Sequence, residues 1–451
     1  MIRPTHSLMT IAPVLRACAL GVAILAAALT QTASIHGQQN IGTSFTVPGE
    51  SRPVRLIQGR IGNTVNLTAD TIYVLRGAVF VSDGGVMNIQ AGTLIAGELA
   101  TAGTLIVERG GLLNATGTAS APIVFTSDQP VGTRNRGDWG GLIINGRAPL
   151  NVPGGIGIGE GDTGEYGGND PNDSSGILRY VRVEFAGIEF SPDNELNGVA
   201  FQGVGRGTEV DYVQVKMNRD DGLEFFGGTV DIKHTVLTAI RDDSLDWTFG
   251  WIGRVQYLIA QQRGDDADHG IEADSNDINN NLLPRANPTI YNMTLVGDPT
   301  TRFGNESNVG MVLRRGTAAT IRNAIVMGFK NFGLDINGSA SAAQAQEGAL
   351  TIRNTIFFGN GQTRAGAQFS AASVPFMNDA SVRIADPGLI NPFNLEAPNF
   401  RPTGVATLAG GQLAPATPPN DGFFEFTPFI GALSPDPSRD WTVGWTDYAL
   451  R

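Results

Sequence analysis

The segments TIYNMTLVG, TIRNAIVMG and TIRNTIFFG place Asn292, Asn323 and Asn354 at equal intervals of 31 residues, each between the same apolar neighbours. Few folds are compatible with a fixed period of that length. In a β-solenoid every turn of chain lies on the one before, so equivalent residues stack at the strand spacing of about 4.8 Å. Asn suits a bend in such a column, because stacked amides can hydrogen-bond to one another. A second period lies upstream, where NRDDGLEFF, IRDDSLDW and RGDDADHGIE carry Asp pairs at 220/221, 242/243 and 265/266, spaced by 22 and 23 residues. Alternating apolar residues precede each pair, as in EVDYVQVKM, DIKHTVLTAI and GRVQYLIAQQ, which reads as a strand followed by a corner. GVMNIQAGTLIAGE, GTLIVERGGLLNATG and APIVFTS add short strands with Gly at the turns, where a positive φ is needed. Turns of this length suit three short strands and three bends. The prediction is an all-β, right-handed parallel β-helix with three faces and about a dozen coils.

The ends read differently. Arg3 and Arg16, the run ACALGVAILAAAL and a stretch of small residues form the pattern of a secretory signal peptide over 1–37. The run is too short to span a bilayer, so the expectation is export, to the periplasm, outer surface or extracellular space, and not an integral membrane protein. Cys18 falls inside the leader, so the mature chain is expected to carry no disulfide. Loss of the two leader arginines takes the formal charge from −12 to −14, which argues against nucleic acid as a partner. Residues 38–74 are expected to cap the first coil. The β-helix is placed at 75–370, interrupted by a polar, Gly-rich loop at 154–176, and 371–451 holds the last coil or coils and an aromatic, Pro-rich cap closing the open end of the core.

Superposed on their Asp pairs, the three acidic coils form columns Asp220–Asp242–Asp265, Asp221–Asp243–Asp266 and Glu224–Asp246–His269, flanked by Arg219, Arg241 and Arg263. With Asp268, nine carboxylates face three Arg and one His. Stacked like charges destabilise neighbouring strands, so a hard cation such as Ca²⁺ is expected to supply the missing charge. Trp247 and Trp251 beside the row, with Arg241 and Arg263, are candidates for contacting a glycan or another surface component. A purely solvated acidic face and a structural envelope protein remain alternatives. So does polysaccharide hydrolysis or cleavage by a lyase, since carboxylates roughly 5 and 10 Å apart on successive coils span the separations that glycosidases use.

GDWGGLIINGRAPLN at Gly137, LRYVRVEFAG at Leu178, DDGLEFFGGTVDIKH at Asp220 and the closing FIGAL with DWTVGWT resemble a group of bacterial exported β-helix proteins. The resemblance implies the fold and export and carries no reaction. The order Asp221, then Asp242 and Asp243, then His269 with Gly270, is similar to polygalacturonase-type β-helix glycosidases, which place an Asp, a double Asp and a His-Gly on successive coils. That similarity implies Asp242 or Asp243 as the acid, another carboxylate to activate water, and His269 to orient the acid. The Arg-x-Lys motif of that family has no counterpart here; LRRG at Arg314 and IRN at Arg322 do not fit it.

Overall fold

The computed structural model describes residues 51–191, 194–300, 306–361, 367–404 and 413–451; the expected leader, with Cys18, lies outside them. The chain winds into a right-handed parallel β-helix, and its coils pair in register along the axis. Each central coil uses one long strand, such as Glu209–Lys216, Ile232–Thr238 or Arg254–Gln261, and one short strand. The short strands Val199–Gln202, Leu223–Phe226, Leu245–Thr248, His269–Ala273 and Val309–Leu313 stack into one face. Alternate residues of these strands point inward, so Leu223, Phe225, Leu245, Trp247 and Ile271 are fully buried in the continuous core. The intervening positions face outward and carry the candidate site.

The other two faces come from a single bend in each long strand. In the first two coils the bend is at Gly59 and Gly77; further along it is at Tyr180, Tyr212, His234, Tyr257, Asn292, Asn323 and Asn354, all with positive φ. Register places the latter seven in one column. A left-handed residue other than Gly costs about 1–2 kcal/mol, and Asn tolerates the conformation better than most. The aromatic members are supported by stacking: Tyr180 on Tyr212 at 4.3 Å between ring centroids, Tyr212 on His234 at 4.2 Å and His234 on Tyr257 at 4.7 Å, close to the rung spacing itself.

The Asn column stacks as predicted, but its amides do not bond to one another. Asn292 donates to Thr427 Oγ1 at 2.8 Å, Asn354 to Ala414 O at 3.0 Å, and Asn323 both donates to and accepts from the backbone of Ala416. Amide-to-amide bonding up a column occurs elsewhere, from Asn114 to Asn88 and from Asn88 to Asn66, each at 2.9 Å. The partners of Asn292, Asn323 and Asn354 belong to the C-terminal segment, which lies along the corner and runs back toward earlier coils, bonding Gln256 through Glu425 and Gln214 through Asp447. Trp445 meets Tyr180 and Tyr212 edge-on at 5.9 Å, and Trp441 meets His234 at 5.2 Å. The tail is therefore a strap over a side of the solenoid. The end of the core is met instead by the residues before it, where Val382–Ile384 adds a last rung to Leu350–Phe358 and Phe376, Met377 and Val382 pack against the core.

Two further boundaries differ from expectation. Val54–Ile61 already pairs in parallel with Ile72–Val81, so coiling begins inside the segment read as a cap. The Gly-rich excursion folds back on the short-strand face, where Tyr166 and Leu150 pack with Ile143, Ala200 and Phe226. It covers the coils that precede the acidic row and reaches the row's first coil at Phe226.

Candidate functional site

The register of the short strands redraws the acidic columns. Leu223 pairs with Leu245 and Leu245 with Ile271, so Glu224 stacks on Asp246 and Asp246 on Glu272. Backbone bonds from Gly222 to Asp243 O, from Ser244 to His269 O and from Asp268 to Asp242 O put Asp221 over Asp243 over His269, and Asp220 over Asp242 over Asp268. The third coil is thus displaced by three residues from the alignment of Asp pairs. Asp265 and Asp266 lie in the extra residues and are absent from the row. They pair with Arg263, Arg241 and Arg136, at 3.1 Å for Arg263 with Asp265 and 3.2 Å for Arg241 with Asp266.

This displacement changes the charge balance. Arg219 pairs with Glu189, and Arg241 and Arg263 are held by Asp266 and Asp265, so none of the three arginines expected to neutralise the row forms an ion pair with it. Among the described residues no Lys or Arg lies within ion-pair distance of Asp220, Asp221, Glu224, Asp242 or Asp246. Glu160, delivered by the excursion, adds a further carboxylate; the buried Asn197 amide donates to it at 3.2 Å and to Glu224 at 2.6 Å. Cationic partners appear at the far end, where Arg314 pairs with Glu272 and, at 2.9 Å, with Asp274, and Arg315 pairs with Asp274 at 2.6 Å.

Burial and mutual repulsion act on protonation in the same direction. Burial, then the charges of Glu160 and Asp242, push Asp220 up to about 8. Burial and Glu195 raise Glu160 to about 7, and burial with Asp243 and Asp268 raises Asp242 to about 7. Asp221, Glu224 and Asp246 lie well above the usual carboxylate range for the same two reasons. For His269 burial disfavours the charged ring, but the hydrogen bond and charge of Asp243 outweigh it, and its affinity for a proton rises.

The second Asp of each of the first two pairs also holds the corner. Asp221 Oδ1 accepts the backbone N–H of Asp243 at 2.9 Å, and Asp243 Oδ1 accepts that of His269 at 2.7 Å, so each clamps the next coil. Asp220 and Asp242 have no such duty. One side-chain atom from each of Asp221, Glu224 and Asp246 falls within a 4.8 Å group, as do atoms of Asp220, Asp221 and Asp242, of Asp242, Asp243 and Asp268, and of Asp243, His269 and Glu272. Two oxygens on one Ca²⁺ stand at most about 5 Å apart, twice the usual bond length, so the first three groups fit a hard cation by spacing and donor type. Asp246 Oδ1 is buried and has no hydrogen-bond partner.

Trp247 and Trp251 are 0 % exposed: Trp251 stacks on Phe225 at 4.0 Å and Trp247 donates to Thr317 at 3.0 Å. They are core, and stacking on a sugar is closed to them. An open groove of about 330 Å³ instead continues the row, lined by His269, Asn308, Val312, Arg314, Asn331 and Asp335. Glu160, Glu272 and Arg314 are the charged members that motif reading missed. Glu272 was recoverable by aligning the inward residues Leu223, Leu245 and Ile271; Glu160 has no local signal at all.

No curated protein and no solved structure matches the chain. Residues 59–386 match the family model described as a pectate-lyase-like β-helix domain, which spans the coils, the excursion and the acidic row. The chain belongs to the pectate-lyase-like β-helix family.

Proposed function

We propose that the row from Glu160 to Asp246 binds a divalent hard cation, Ca²⁺ by donor type, and that the cation and the adjoining groove hold an anionic glycan of a cell surface or matrix. One observation carries this reading: the carboxylates packed closest together are the ones without Arg or Lys partners, while neighbouring arginines are paired elsewhere. Asp221, Glu224 and Asp246 are the ligands at its centre, with Asp220, Asp242 and Asp243 beside them. A bound cation would bring positive charge where folding has left none, and its open coordination positions would take carboxylate groups of the glycan. The leader pattern supports placement outside the cytoplasm.

Calorimetric titration of Ca²⁺ into chelator-stripped protein tests it. Saturable binding that Asp246→Asn weakens at least tenfold is expected. Absence of any heat or stabilisation in millimolar Ca²⁺ would leave a solvated acidic face.

A second reading, polysaccharide hydrolysis or lyase cleavage, draws on Asp242. This carboxyl is the accessible one of its pair, one coil before the groove-lining His269, free of backbone duties, and raised to about 7 by partial desolvation and by Asp243 and Asp268. A general acid needs that combination.

A further inference from the structure

Where the strap ends, Lys216 is buried in contact with two carboxylates. Its Nζ meets Asp447 Oδ2 and lies 3.7 Å from Glu184 Oε1, and the residue is 1 % exposed. The Phe185 ring lies 5.3 Å away and walls the site. Glu184 is itself buried, held by Arg182 Nε at 3.1 Å and by the Thr126 hydroxyl at 3.3 Å. Asp447 is positioned just as firmly: Gln214, two residues before Lys216 on the same strand, donates to its carbonyl at 2.7 Å and accepts its N–H at 2.8 Å. The two backbone bonds fix the register between strap and solenoid, which keeps the carboxylate against Nζ. An amine, a carboxyl carbon and a third group able to relay protons are therefore held together, with the amine and Glu184 shielded from bulk water and Asp447 at its edge. Orientation of this kind greatly accelerates a condensation that is slow in solution.

We propose that Lys216 and Asp447 condense to an intramolecular amide that ties the C-terminal strap to the solenoid, with Glu184 relaying the protons. Nζ bonds to Cγ of Asp447 and the Cγ–Oδ2 bond breaks. The ammonium and carboxylate together contain all the atoms required: two of the three Nζ protons depart with the oxygen as water, and a neutral secondary amide remains. Glu184 accepts one proton from Nζ to free the amine's lone pair and passes it to the departing oxygen, then carries the second, released from nitrogen once the C–N bond has formed, to the same oxygen, which leaves as water. No oxidant, metal or nucleotide enters. The 35 % exposure of the Asp447 side chain gives the water a way out. Such a bond would serve a chain whose one cysteine, Cys18, lies in the leader, because no disulfide can hold the strap.

The test is peptide mapping by mass spectrometry of the full chain, folded and then denatured and digested. The expected result is one branched peptide joining the segments that hold Lys216 and Asp447, lighter than their sum by one water, and absent from Lys216→Arg. Glu184→Gln should fold with an unchanged circular dichroism spectrum and yield the two segments separately. Wild-type protein that gives both segments unlinked and at full mass after prolonged incubation would reduce the contact to a buried ion pair and overturn the proposal. Loss of water confined to a single unbranched peptide, as in a cyclic imide at Asp447, would overturn it equally. A Glu184→Gln chain that condenses as fast as wild type would remove the role given to Glu184.

Discussion

Asp243 Oδ1 accepts two hydrogen bonds from one residue of the next coil, the backbone N–H of His269 at 2.7 Å and its ring Nδ1 at 2.9 Å. The opposite ring nitrogen lies 3.3 Å from Asp268, so carboxylates flank the imidazole on both sides. A proton on both nitrogens is favoured, and the ring should titrate above the usual imidazole range. An NMR titration of wild type and Asp243→Asn checks this. The substitution should lower the His269 pKa, because it removes the first charge that raises it. An unmoved titration would show that Asp243 does not control the ring.

Without a cation, the row should make the fold sensitive to rising pH. Asp220, Asp242 and Glu160 have folded-state values of about 8, 7 and 7, all above those of an unfolded chain. The folded state then binds protons more tightly than the unfolded state. These groups therefore favour folding at low pH and lose that contribution progressively between about pH 4 and pH 8. Melting temperatures in chelator should fall across that window. Millimolar Ca²⁺ should remove most of the fall, since a ligand of the native state stabilises it by mass action. A flat profile in chelator would mean that the carboxylates are better solvated than their burial indicates.

Asp246 should behave oppositely with and without the ion. At a pH high enough to ionise the row, Asp246→Asn removes one of the stacked charges between Glu224 and Glu272, so in chelator the variant should be more stable by an amount on the order of 1 kcal/mol. In Ca²⁺ it should lose more than it gained. Denaturant unfolding under the two conditions gives both signs; a variant less stable in chelator as well would mark Asp246 as a packing residue.

The solenoid was legible because its signals are periodic, and each of them reports a physical requirement. Asn at 31-residue intervals marks a left-handed corner that Asn tolerates, and alternating Val, Ile and Leu mark inward positions. The same corner in earlier coils is filled by Tyr and His, which carry no conformational signature in sequence, so that part of the column was invisible. The acidic site was legible as a composition and misaligned in detail. Asp pairs are conspicuous, yet register is decided by the buried residues: Leu245 pairs with Ile271, and the extra residues before His269 push Asp265 and Asp266 out of the row. Glu160 comes from an excursion that leaves the period, and the strap contacts join residues from 60 positions apart, as Asn354 and Ala414, to 233, as Gln214 and Asp447. No local pattern encodes contacts of that range.

The strap should be dissected by its Asn contacts. Asn323→Ala removes the bond to Ala416 O and the acceptor for its N–H, and puts a residue with a β-carbon and no polar side chain into a left-handed corner. The cost should be about 1–2 kcal/mol. Hydrogen exchange should quicken at 413–417 before the core strands change. Uniform exchange across the whole chain would show instead that strap and solenoid unfold as one unit.

Asp242→Asn separates an enzyme from a binder better than a change at Asp243, whose carboxylate clamps the next coil and whose loss would confuse chemistry with stability. Asp242 faces outward among Asp220, Asp243 and Asp268, and partial desolvation, then the charges of Asp243 and Asp268, hold its proton near neutral pH. If the family's fold is used here for hydrolysis, the wild type should release reducing ends from an acidic polysaccharide such as polygalacturonate, and Asp242→Asn should lower kcat by two or more orders of magnitude, the usual contribution of a general acid. Ca²⁺ affinity at Asp221, Glu224 and Asp246 should change only severalfold, because Asp242 stands beside that group and is not at its centre. If the row is only a cation site, the wild type should bind the polymer in Ca²⁺, lose it in chelator and release no product. Asp220 and Asp242 would then be supporting charges beside the cation, and the substitution should weaken binding of the polymer without abolishing it. We expect the second pattern, since the groove lacks the basic motif that holds substrate in the glycosidases this row resembles; turnover in the wild type that vanishes in Asp242→Asn would decide for the enzyme.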